Sequence, residues 1–246
     1  MLAIFNKDLV QPPKELNSPA MSNSAKKPKL PHEILNDFLS SHSNNAFSIG
    51  FGNSASLSYV PPEKPYSVHQ RLFCGVDDIY CIFLGSLNNL CSLIRQYGLS
   101  KATNEAMLVI EAYRTLRDRC PYPAHQVLKE LEGSFAFVVY DCKAGSVSEP
   151  LLGNSGRWVG GDFSRLGVIK ASCAKSFAPF PNGCMFHSAH GLMSFEHPTK
   201  KMKAMARIDS EGMMCGANFK VDAQSRIQSM PRVGSEANWA AWGSQA

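Results

Sequence analysis

The chain has 246 residues, 44% of them hydrophobic, and a formal net charge of +5. That length and apolar content suffice for one large core, and so mild a charge argues against a nucleic-acid-binding surface. No run approaches the roughly 18 uninterrupted apolar residues of a membrane span, and no basic stretch precedes a long apolar one at the N-terminus, so a cytoplasmic protein without a membrane span is expected.

Lys26, Lys27 and Lys29 form a small basic cluster. It reads first as a solvated loop and second as a nuclear import signal, which makes the nucleus a second expected location. The eight cysteines are scattered and form no C-x-x-C pair. In a reducing compartment they are expected to be small buried hydrophobes rather than disulfides.

In chain order, Met1 to Phe5 is an apolar run that reads as a strand, and residues 11–30, rich in Pro, Ser, Asn and Lys, read as a mobile loop. Pro31 suits the first turn of a helix that places Ile34, Leu35, Phe38 and Leu39 on one face. Alternation around Gly52-Asn53 predicts two short strands. Arg71–Val76 and Ile79–Leu84 predict two more, joined by a hairpin turn at Asp77-Asp78 and closed by Gly85.

A helix is expected from about Asn88 to Gln96, stopped by Gly98. The clearest helix starts at a Thr103 or Asn104 cap, carries Ala106, Val109, Ile110, Tyr113 and Leu116 on one face, and ends at Arg117-Asp118-Arg119. Another, from Pro123, presents Val127, Leu128 and Leu131. It leads into Leu131–Asp141, LEGSFAFVVYD, where Phe135, Phe137 and Val139 would line one face of a strand and Ala136, Val138 and Tyr140 the other. Apolar residues on both faces imply a strand between two covering layers.

Residues 144–167 contain six glycines and no sustained period, so an irregular insertion is expected there. A short helix at 168–174 and strands near Cys184–Ser188, Leu192–Phe195, Ala204–Ile208 and Cys215–Val221 follow. The organisation expected is one domain over 1–222 and a polar tail over 223–246, with Trp239 and Trp242 as loose anchors.

With these elements placed, the sequence resembles the plant aluminium-induced or stem-specific protein family with YGL and LRDR motifs. Tyr97-Gly98-Leu99 and Leu116-Arg117-Asp118-Arg119 match both motifs, and the likeness extends through the MLAIF start, the FCGVDDIYCIFLGSLNNL block and the stretch ending near Trp239. That family is in turn similar to the glutaminase domain of class II amidotransferases. GSFAFVVYD resembles the G-x-F-A-F-x-L-Y-D strand of asparagine synthetases, Phe180-Pro181-Asn182-Gly183 their F-P-x-G turn, and Leu84–Asn89 falls where their N-G-E-I-Y-N loop would. The fold class implied is α+β, a four-layer αββα sandwich of the N-terminal-nucleophile hydrolase type.

The chemistry implied by that likeness needs an N-terminal cysteine whose thiol attacks the amide. Here Met1, Leu2 and Ala3 stand first, and a bulky second residue normally keeps the initiator methionine in place. Leu84 occupies the position of the oxyanion-hole asparagine, leaving the Gly85 amide; losing one such donor costs on the order of 100 to 1000-fold in rate. Ser86 replaces the acidic residue that grips the substrate amine, and Arg71 resembles the arginine that holds the substrate carboxylate. The expectation is therefore a non-enzyme with no catalytic residues, no cofactor and no metal. Arg71, Gly85, Ser86 and Asn89 remain as a vestigial ligand pocket.

The partners expected are a small amide or amino-acid ligand or a protein, with a homodimer as one form, in a stress or growth response. The alternative is a hydrolase of glutamine or a related amide using a nonstandard nucleophile. Cys184, His187, His190 and His197 lie close in sequence, but strand alternation would put His187 and His190 on opposite faces, which argues against a metal site.

Overall fold

The computed structural model describes residues 1–6, 9–10, 30–42, 45–61, 70–118, 124–152, 178–188, 190–208, 210, 212 and 214–225. The elements are β1 (Leu2–Phe5), α1 (Pro31–Ser40), β2 (Phe47–Phe51), β3 (Ala55–Tyr59), β4 (Gln70–Val76), β5 (Ile79–Leu87), α2 (Leu90–Gln96), α3 (Glu105–Asp118), α4 (Ala124–Glu130), β6 (Gly133–Asp141), β7 (Ser146–Leu152), β8 (Cys184–His187), β9 (Gly191–Ser194), β10 (Met202–Ile208) and β11 (Met214–Val221). Residues 11–29 of the loop expected over 11–30, the helix at 168–174 and both tail tryptophans lie outside the described residues.

Strands β4 to β9 form a six-stranded sheet in chain order, β1-β3-β2 a three-stranded one, and β10-β11 a ribbon that touches β9. Every pairing is antiparallel. The chain is thus a mixed α+β protein. Its β4–β5 hairpin turns on Asp77 and Asp78, both at positive φ (47° and 66°), as the two-residue turn whose twist matches antiparallel strands requires.

Two apolar clusters sit on the two faces of the large sheet. On the helix side, Ile79, Cys81 and Phe83 of β5 and Phe135, Phe137 and Val139 of β6 pack against Ala106, Leu108, Val109 and Ile110 of α3. Phe83, Phe135 and Phe137 stack with ring centroids 6.0–6.2 Å apart. On the other side, Ile82, Val138 and Tyr140 meet Ala3, Phe5, Phe51, Ala55 and Leu57 of the small sheet. β6 therefore lies between two covering layers, with the facial split that its alternation predicts. Each fully buried Val, Leu, Ile or Phe among them stabilises the fold by about 1.5–3 kcal/mol relative to exposure. Helix α1 buries Phe38 and contacts β1.

Three expectations need correction. Residues 146–152, placed in an irregular insertion by their glycine-rich surroundings, form β7: Gly145 (φ 60°) turns the chain, and β6 and β8 provide ladders on either side. Gly85 does not close β5, because its positive φ of 107° lets β5 continue to Leu87 in register with β6. The helix expected from about Asn88 starts at Leu90, with Asn89 as its N-cap, whose carbonyl accepts from the Leu93 N–H at 3.1 Å.

Candidate functional site

The residues singled out for a ligand pocket lie at one end of the β4–β5–β6 ladder. Arg71 pairs with Leu84, which pairs with Ala136; Ser86 pairs with Ser134. Leu72 and Leu87 belong to the helix-side core, so alternation turns Arg71, Leu84 and Ser86 towards the small sheet. From that sheet the Tyr59 hydroxyl donates to the Arg71 carbonyl at 2.6 Å. Burial pushes the Tyr59 phenol up, against the opposing effect of the Arg71 charge.

Gly85 and Gly133 let β5 and β6 approach closely here. A Cβ on Gly85 would stand 2.0 Å from the Ser134 carbonyl oxygen, and one on Gly133 2.3 Å from that of Ser86. The Gly85 conformation is therefore required by the sheet itself. Asn89 is likewise occupied: its Nδ2 donates to the Glu130 carbonyl at 2.7 Å, and its Oδ1 accepts from the Glu132 N–H at 3.1 Å. The structure thus gathers Arg71, Gly85 and Ser86 at one sheet end, and places Asn89 as the tie between β5 and the α4–β6 connection.

The opposite end of the same ladder holds a polar cluster that the sequence reading missed. Asp141 is fully buried. Its Oδ1 accepts from the Lys143 and Ala144 N–H groups, both at 2.9 Å, and its Oδ2 from Arg117 Nη1 at 2.9 Å and the Tyr113 hydroxyl at 3.2 Å. Tyr113 also bonds Ser146 Oγ at 2.8 Å, and Arg117 Nε donates to Asp118 at 2.8 Å. Burial pushes the Asp141 carboxyl up, but the hydrogen bonds from Ala144, Arg117, Tyr113 and Lys143 together hold it below the usual carboxylate range. The signal was present: Tyr113 and Arg117 are four apart on α3, hence on one face.

Among the described residues, both sequence motifs supply structural contacts. Arg117 of LRDR closes the buried carboxylate. In YGL, Gly98 (φ 65°) and Leu99 make a Schellman cap, with Leu99 N–H on the Ile94 carbonyl (2.9 Å) and Gly98 N–H on that of Arg95 (3.3 Å). Leu99 packs into the helix-side core, and the Tyr97 hydroxyl donates to the Glu130 carboxylate.

A small apolar cavity of about 50 Å³, open at its mouth, lies among α3, α4, β6 and β8. Leu116, Val127, Leu131, Phe137 and Met185 line it, and its one hydroxyl, on Tyr113, is already committed to Asp141 and Ser146. Among the described residues, its lining lacks the convergent polar groups of a specific ligand site.

Four cysteines carry raised pKa values. Burial pushes the Cys184 thiol up to about 11, with the Glu196 charge adding to it; burial likewise raises Cys81, well above its ordinary value, Cys74 and Cys142. These groups are protonated thiols at neutral pH. The histidines need a correction: His187 and His190 do not point apart. His190 lies in the turn after β8, and the two rings meet with centroids 5.0 Å and Nδ1 atoms 3.3 Å apart.

Comparison with known proteins gives two results. Residues 2–221 match the family described as aluminium induced protein. The stem-specific protein TSJT1 of Nicotiana tabacum is 41% identical over 148 residues, a match covering 60% of this chain and 97% of the tobacco protein. With the match spanning β1 through β11, the chain belongs to the plant aluminium-induced, stem-specific protein family.

Proposed function

We propose that this protein is a catalytically inactive relative of the class II amidotransferase glutaminase domain, with a four-layer sandwich of the N-terminal-nucleophile type, acting by binding in a stress or growth response. The observation that carries this reading is the state of the Arg71–Ser86 end of the sheet. The resemblance assigns the oxyanion hole to Leu84 and Gly85. Leu84 has no donor on its side chain, and the Gly85 conformation serves the close approach of β6.

Residues 1–5 offer neither thiol nor hydroxyl, and Met1, Ala3 and Phe5 pack into the apolar layer between the sheets. The order of layers, helices then six strands then three strands with α1 on β1, supports the sandwich. Against a nucleophilic role for Cys74, Cys81, Cys142 and Cys184 stands the burial that raises the pKa of each of these four thiols. Arg71 remains as a cation beside Ser86 on the inward face, fit for the carboxylate of an amino acid or a related amide.

Two measurements test this. Ammonia release from L-glutamine and from L-asparagine should equal that of buffer; turnover abolished by substituting a single cysteine would overturn the reading. A thermal-shift panel of amino acids and amides should contain a compound that raises the melting temperature of the wild type and not of Arg71→Ala.

A further inference from the structure

The β8–β9 hairpin brings two imidazoles into a geometry that sequence spacing does not suggest. The His190 N–H bonds the His187 carbonyl at 3.1 Å, making these residues the first and fourth positions of a tight turn. Pairing of His187 with Gly191, which sits at φ 73°, fixes the base of that turn. His187 is half-buried and His190 exposed. The two Nδ1 atoms are 3.3 Å apart.

That separation has a chemical meaning. Two nitrogens each about 2.0–2.1 Å from a tetrahedral metal ion stand about 3.3 Å from one another. We propose that His187 and His190 form a two-histidine site for a borderline divalent transition-metal ion, zinc being the reference case, ligated through both Nδ1 atoms with solvent in the remaining positions. Imidazole donors select zinc, copper and nickel over hard, oxygen-seeking cations. Ligation takes the neutral form of each imidazole, so metal binding at this pair weakens as pH falls. Metal at Nδ1 requires both rings to carry their proton on Nε2. In the metal-free pair, the hydrogen bond between the two Nδ1 atoms requires one ring to carry its proton on Nδ1.

The tautomer change supplies the test, read on the assigned rings of His187 and His190 and localised by variants. Zinc chloride is titrated into the full chain labelled with ¹⁵N histidine, and the ring nitrogens are read by NMR. A saturable step that converts both rings to the Nε2–H form is expected. It should persist in His197→Ala and weaken by at least about tenfold in His190→Ala, a substitution at an exposed turn position. No ring response at millimolar zinc would overturn the site. So would an undiminished His187 response in His190→Ala.

Discussion

The two ends of the β5–β6 ladder are built on opposite plans. Where Ile79 pairs with Asp141, a buried carboxylate is met by four donors and its charge is answered by Arg117. Where Leu87 pairs with Gly133, two glycines remove side chains so that the backbones can close, and Arg71 and Ser86 are left facing the small sheet. The Asp141 end is saturated, and saturated polar clusters specify a fold rather than bind a ligand. Arg117 of LRDR therefore belongs to the saturated end, whereas Tyr97 of YGL reaches Glu130 near the glycine end, the end that the proposed function assigns to a ligand.

Breaking the glycine end should have the largest effect. In Gly85→Ala the added Cβ meets the Ser134 carbonyl oxygen at 2.0 Å, and the φ of 107° is one that L-residues rarely adopt. Backbone strain and overpacking together should cost about 4 kcal/mol, read as a lower urea midpoint or loss of soluble protein. Gly98→Ala is the control. Its φ is also positive, but nothing stands within 4 Å of the new Cβ, so about 1 kcal/mol is expected.

Next comes the polar end. Asp141→Ala leaves two backbone N–H groups and the Arg117 charge without their buried acceptor, and should cost about 3 kcal/mol in denaturant unfolding. The sign with pH follows from the lowered folded-state pKa. The contribution is fully present above the unfolded carboxyl value of about 3.9 and is lost as pH falls through the lower folded value. Acid unfolding curves of the wild type should show this loss, and those of Asp141→Asn should be flatter over the same window.

These effects bear on how much could be read from residues alone. The period-2 pattern of Phe135, Phe137 and Val139 against Val138 and Tyr140 was legible because both faces of β6 are buried, and the Asp77-Asp78 turn because a two-residue loop admits few conformations. β7 was not legible. Its Ser-Val-Ser-Glu-Pro start carries little apolar signal, and its strand state comes from the ladders of β6 and β8. The Asp141 cluster joins α3 to the end of β6 across 24 residues, a contact that local patterns do not encode. The His187–His190 approach depended on knowing that β8 stops at His187. At the candidate site, the assignments of Gly85 and Asn89 came from a resemblance, and their structural duties emerged only with the coordinates.

The smallest stability effect is expected where the functional one should be greatest. Arg71 is half-buried in β4, and its backbone carbonyl accepts from Tyr59 of the small sheet, a bond that survives truncation of the side chain. Arg71→Ala should therefore shift unfolding by no more than about 0.5 kcal/mol. If the Gly85 end is a ligand pocket, the same substitution removes the cation for a ligand carboxylate, and the ligand-dependent rise in melting temperature should vanish while the ligand-free melt stays in place. A large loss of ligand-free stability would instead make Arg71 a counterpart of Arg117, and both ends of the ladder would then serve the fold.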